Sequence, residues 1–163
     1  IKNIYPKSMI TFVNLGKTLI FDFYYTNLCY PKSKHALIRK KSDKLSSDFN
    51  YVEAENFNNI FLESDIFINI NSMQEMNYQQ IATYMENIYS QKNETWFYCC
   101  NRVSKTLPDG TLIEFSKFGW SKNDEILIEE MCPWQHYFPT NYPPFIKKFD
   151  GLIKHKLVKI NKK

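Results

Sequence analysis

The segment Asp65-Ile-Phe-Ile-Asn-Ile-Asn-Ser-Met-Gln-Glu-Met76 constrains this chain most. Ile66 to Ile70 is an apolar, β-branched run too short for a helix, and it predicts a buried strand. The run breaks at Asn69, Asn71 and Ser72. Ser72 and Glu75 have the S-x-x-E spacing of a capping box, which predicts a helix beginning there. Met73, Met76, Ile81, Met85 and Ile88 then recur at helical spacing. A strand running into a capped helix is half of a βαβ unit. Ligands of open α/β sheets bind at the carboxyl ends of the strands. Chemistry is therefore expected near Asn71, Ser72 and Glu75, the competing reading being a plain helix cap.

The rest of the chain reads in order from there. Met9 to Leu15 predicts a strand and Thr18 to Tyr30 a helix stopped by Pro31. His35 to Lys40 predicts a second strand, so the two strands should be joined by a right-handed parallel crossover. Ser42 to Asn50 reads as a loop, and Tyr51 to Phe61 as irregular with one short helical turn. The capped helix should run from Ser72 to about Gln91, then a buried strand over Glu94 to Val103. Pro108-Asp109-Gly110 marks a turn. Thr111 to Phe118 and Glu125 to Met131 predict an antiparallel hairpin at the sheet edge. The proline-rich stretch after Cys132 reads as irregular, and residues 152–163 as a basic C-terminal tail. No repeat or domain boundary is visible, so residues 1–163 read as a single domain, a size that buries about two thirds of the unfolded surface.

Composition narrows the function classes. Hydrophobic content is 44% and charged content 23%, ordinary for a globular domain. The net charge of +4 is spread along the chain, with short basic clusters at Lys32 to Lys41 and Lys154 to Lys163. These fit a solvated face or a tail better than a nucleic-acid surface, so nucleic acid is not an expected partner. The four cysteines, Cys29, Cys99, Cys100 and Cys132, have neither CxxC spacing nor a histidine at zinc-finger distance. Without a leader peptide or a membrane-length apolar run, a reducing, cytoplasmic setting is expected. No metal site is expected either.

Four pieces in order resemble the sugar O-methyltransferase family: Phe67 to Met76, Tyr98-Cys-Cys-Asn-Arg102, Pro108-Asp-Gly110, and Glu130-Met-Cys-Pro-Trp-Gln-His136. Pro6 to Ile38 is similar to that family's second strand, helix and third strand. The resemblance spans roughly Pro6 to Pro139. It implies a Rossmann-like α/β fold of the methyltransferase type, a mostly parallel sheet with an antiparallel edge hairpin. It also implies S-adenosylmethionine as cofactor and a sugar or sugar-nucleotide as substrate, in glycan biosynthesis. The chain departs from the family in two places. Its only glycines are Gly16, Gly110, Gly119 and Gly151, so the Gly-rich turn and the first strand are missing, as in a fragment. Where the family carries Asp-Leu-Pro-Glu, this chain has Asn14-Leu15-Gly16-Lys17. The alternative is a degenerate, non-catalytic α/β interaction module that no longer binds cofactor. Its exposed sheet edges would pair with a partner chain or a second copy.

The resemblance distributes the candidate residues. Asn14, Asn71 and Ser72 fall at cofactor positions, where Asn14 would accept a bond from a ribose hydroxyl more weakly than a carboxylate does. Glu75 and His136 are the candidate bases for removing a hydroxyl proton. Asn101 and Arg102 end the strand after the helix, and an arginine there can grip an anionic sugar or a phosphate bidentately. Trp134 and Trp120 offer ring faces for a sugar. Each has a structural alternative: a cap for Glu75, a solvated loop for His136, a strand-end ion pair for Arg102, core packing for the tryptophans.

Overall fold

A computed structural model of the 163-residue chain describes residues 1–60, 63–135 and 137–160. It divides into two compact units, Ile1–Leu62 and Glu63–Lys163, at a place where the sequence shows no boundary.

In the first unit, strand β1 (Ile10–Asn14) leads into helix α1 (Gly16–Cys29), and β2 (His35–Ile38) and β3 (Phe49–Glu53) come after it. All three strands are parallel, in the order β1-β3-β2. β3 lies between the two strands expected to be joined directly, in a stretch whose sequence reads as loop. Asn50 hides it: a buried polar residue interrupts the apolar pattern. Its side-chain oxygen accepts from the Ser46 amide and its nitrogen donates to the Ser46 carbonyl, so burial leaves nothing unmet. Phe12 stacks on Tyr51, and His35 on Phe49, forming an aromatic layer under α1. Thr26 and His35 Nδ1 both hydrogen-bond the Tyr51 hydroxyl, at 2.5 and 2.8 Å. A 3-10 turn over Ala54–Asn59 succeeds β3.

The second unit is built on β4 (Ile66–Ile70), helix α2 (Tyr78–Tyr89), β5 (Thr95–Arg102), β8 (Glu125–Met131) and β11 (Ile153–Ile160). Their sheet runs β4-β5-β11-β8. β4 and β5 are parallel, while β11 is antiparallel to both of its neighbours, β5 and β8. Ile81, Met85 and Ile88 of α2 pack with Phe97, Cys99 and Val158 in the main core. Two small antiparallel pairs complete the unit: β6 (Ser104–Thr106) with β7 (Leu112–Glu114), and β9 (Tyr137–Pro139) with β10 (Ile146–Lys148).

This arrangement corrects the expected fold. The described residues form two α-helices and eleven strands in several small sheets of mixed orientation, so a Rossmann-like, mostly parallel sheet is not what the chain forms. The expected edge hairpin is also replaced: β7 pairs with β6, and β8 pairs with β11. The largest displacement concerns the presumed basic tail. Residues 153–160 form the strand between β5 and β8, and eight consecutive pairings join them to β5. The lysines that make this segment look solvated are neutralised in place. Lys154 and Lys156 both reach Glu129, at 2.7 and 2.8 Å, and Lys159 reaches Glu94 at 2.9 Å. Lys156 also lies 4.6 Å from the centre of the Trp120 ring. β4 is half-covered rather than buried, since Ile66, Ile68 and Ile70 are exposed on one face.

Candidate functional site

β4 and β5 end side by side, and an unusual backbone sets the path of the chain out of β4. Asn71 continues the ladder, its amide donating to the Cys100 carbonyl at 2.9 Å, and then turns at φ 57°. Asparagine tolerates this left-handed region better than most non-glycine residues. The turn carries the chain back across the strand ends into a short 3-10 turn over Met73–Glu75.

The helix expected at Ser72 starts later for a local reason. Asn69, inside β4, takes over the capping work: its Oδ1 accepts the Met73 amide at 3.2 Å and its Nδ2 donates to the Ser72 hydroxyl at 2.5 Å. Ser72 makes no side-chain cap, and Met76 is extended, which ends the turn. The reciprocal capping box lies five residues further on, between Asn77 and Gln80. Glu75 is thereby released from a capping role and pairs with Lys105 on β6.

A buried polar network ties the corner to β5. Asn101 is fully buried; its Nδ2 donates to Asn69 Oδ1 at 2.9 Å and its Oδ1 accepts the Gln74 amide at 3.2 Å. Gln74 Oε1 accepts the Arg102 amide at 2.7 Å, and its Nε2 donates to Glu75 at 3.3 Å. These groups are satisfied by one another, so Asn101 and Gln74 hold the corner rigid rather than reach outward. One atom is the exception: Asn71 Oδ1 is shielded from solvent and has no hydrogen-bond partner among the described residues. A buried acceptor left unmet costs free energy comparable to a lost hydrogen bond.

The charged rim of the corner has three members. The Lys105 ammonium bonded to Glu75, with Arg102 nearby, holds the Glu75 carboxyl below its usual range despite some burial. Arg102 itself is only loosely tied, 3.7 Å from an Asp150 carboxylate that is almost wholly exposed. The corner thus combines a lone buried acceptor, an ionised carboxylate and two cations at the ends of two parallel strands. Asn71 Oδ1 lacks a donor, and Arg102, only loosely paired, can hold an anionic group.

The other expected site residues belong to other elements. Asn14 ends β1 in the first unit, and its amide is committed: Oδ1 accepts the Leu15 amide at 2.9 Å and Nδ2 donates to Asp22 at 3.1 Å. Trp134 is exposed, with its ring edge against His155 on β11. Trp120 packs among Phe97, Phe115 and Phe118 and belongs to the core. His136 lies outside the described residues. Asn69, Gln74 and Lys105 complete the corner without having been singled out as site residues. Lys105 leaves no sequence signal, because nothing local ties β6 to the turn after β4. Burial pushes the Cys100 thiol up to about 12, which keeps it protonated and unreactive.

No described helix is long and apolar enough to cross a membrane. Among the described residues no cluster of three or more His, Cys, Asp or Glu side chains can hold a metal ion. Compared with protein-family models and with curated proteins, the sequence finds no match.

Proposed function

We propose that this chain serves the acceptor side of a sugar O-methyltransferase, binding a sugar or sugar-nucleotide at the carboxyl ends of β4 and β5. The observation that carries the reading is the buried, unpartnered Oδ1 of Asn71 just past the end of β4, the neighbour of the strand that Arg102 ends. A sugar hydroxyl is a donor that this oxygen lacks, and a phosphate or carboxylate on the same ligand suits Arg102. The residues around the corner are those that resemble the family. Glu75, ionised and paired with Lys105, is a weak base and a good acceptor, so its part is to orient a hydroxyl.

Two of the residues matched to the cofactor already hydrogen-bond within their own units. Asn14 is committed to Leu15 and Asp22, and Ser72 to Asn69. The second reading, a non-catalytic interaction module, is favoured by the same internal commitments and by apolar surface left bare on α1.

Calorimetric titration separates the readings. S-adenosylhomocysteine and a set of nucleoside-diphosphate sugars are titrated into the wild type and into Asn71→Gly. Glycine keeps the left-handed turn at little cost and removes the acceptor. Sugar-nucleotide binding that is lost in Asn71→Gly supports the acceptor reading. Silence from both ligand classes up to millimolar concentration sinks it and leaves the interaction module.

A further inference from the structure

α1 is a helix with too little to pack against. Only Leu19 and Thr26 are buried along its fourteen residues. Leu15 at its N-cap and Ile20, Phe21, Tyr24, Tyr25 and Leu28 along it are each 65 to 72% exposed. Phe21, Tyr24, Tyr25 and Leu28 have the i, i+3, i+4, i+7 spacing of a helix face that packs on another surface. Alongside α1 runs a mainly apolar cleft of about 440 Å³, walled by Leu19, Phe23, Leu37 and Tyr51 and lined as well by His35 and Glu53. The first unit therefore carries apolar knobs and an apolar groove side by side.

We infer that this surface is a two-fold interface between copies of the chain, with α1 aromatics of one copy seated in the α1–β2 cleft of the other. Shape, anchor type and area favour that occupant. A knob and a groove on one patch are self-complementary under a two-fold axis, where each contact occurs twice. Aromatic anchors in apolar pockets are the commonest carriers of binding energy. The area is of the right order as well. Three aromatics that bury about 150–250 Å² each when covered, with three aliphatic residues, all about two thirds exposed, offer roughly 700 Å² per copy. An ordinary interface needs about 800 Å² per partner.

Charge favours the same choice. The only charged residues of α1 are Lys17 and Asp22, and Asp22 already accepts a hydrogen bond from Asn14. With Glu53 at the cleft as the other charge, so sparse a set of charges gives a nucleic acid or a strongly charged protein little to grip. Homodimer interfaces, by contrast, are the more apolar class. The interface is independent of the β4–β5 corner and stands whether or not that corner binds a sugar.

Sedimentation of the full chain from about 1 µM to about 100 µM covers the dissociation constants of weak to ordinary interfaces. The mass is expected to rise from 19.5 kDa towards twice that value. Phe21→Asp with Tyr25→Asp, both on the exposed face, is expected to weaken association at least about thirtyfold, the effect of losing a hot spot. Its far-ultraviolet circular dichroism should be unchanged. Hydroxyl-radical footprinting of the wild type needs no variant: Phe21, Tyr24 and Tyr25 should become protected as concentration rises. A monomer throughout the range overturns the inference, as does a dimer whose protected residues lie on β4 or β8 instead. A chain that stays monomeric but floats with phosphatidylcholine–phosphatidylserine vesicles through α1 also overturns it, in favour of a membrane surface.

Discussion

The two α-helices are of similar length and are held in opposite ways. α2 begins with a reciprocal capping box, Asn77 with Gln80, and buries Ile81, Met85 and Ile88 along one stripe. α1 begins at Leu15, whose side chain caps nothing, and buries Leu19 and Thr26 alone. Isolated helices of this length are marginal in water, so a helix in a folded protein lives on the face it buries. α2 has that face within its own unit, whereas the apolar residues of α1 go most of the way round and face solvent. Propensity and apolar content thus do not say whether a helix is anchored; the distribution of apolar residues around it does.

Core truncation in α2 should show the contrast at its largest. Met85→Ala is expected to destabilise its unit by about 2–5 kcal/mol, the range for removing a large buried aliphatic side chain. Trp96, Trp120 and Trp134 all lie in that unit, so tryptophan fluorescence in a denaturant titration reads it directly. Phe21→Ala on α1, measured by circular dichroism in dilute protein, should change stability by less than about 0.5 kcal/mol. Comparable losses from the two substitutions would erase the distinction between the helices.

The polar corner beside α2 gives the next effect. Asn101→Ala leaves the Gln74 amide without its acceptor in a buried site and is expected to cost about 1–3 kcal/mol. Hydrogen exchange at the Met73 and Gln74 amides should then accelerate; unaltered protection there would show that the network is dispensable.

Helix caps permit a reciprocal test. Asn77→Ala should cost α2 about 1 kcal/mol, and Leu15→Asp should stabilise α1 by about 0.5–1 kcal/mol, because a side-chain acceptor replaces a leucine that offers none. An Asp at position 15 that leaves thermal stability unchanged would mean that the start of α1 is held by something other than its cap.

The smallest effect is electrostatic. Glu75 is depressed in the folded protein, chiefly by its bond to Lys105. The native state therefore binds this proton less readily than the unfolded chain. The stabilisation is fully present above the unfolded carboxyl value and is lost as pH falls through the lowered native one. Glu75 is half-exposed, so screening keeps the contribution below about 1 kcal/mol. Glu75→Gln should flatten the acid limb of the stability curve below about pH 4.5 and leave neutral stability little changed. An acid limb of the same slope in the variant would remove the Glu75–Lys105 pair from the account.

Local chemistry was legible where it is decided within a few residues. β1, α1, β2, β4 and β5 lie close to where apolar runs and the Pro31 stop put them, and Pro108-Asp109-Gly110 turns with Gly110 at φ 86°. Asn71, Ser72 and Glu75 could be grouped from sequence because they are neighbours, and Asn101 and Arg102 because they end a recognisable strand. Three decisions belonged to the tertiary structure. Strand order depends on partners far apart in the chain: β3 slips between β1 and β2, and β11 pairs with β5 across about fifty to sixty-five residues. A lysine-rich segment becomes a central strand because Glu129 and Glu94 arrive from other elements to neutralise it. The acceptor left alone at Asn71, and the amides beside it that are not, are known only when every neighbour is in place. Hydrogen-bond satisfaction is a property of the assembled surroundings and not of the residue that carries the group.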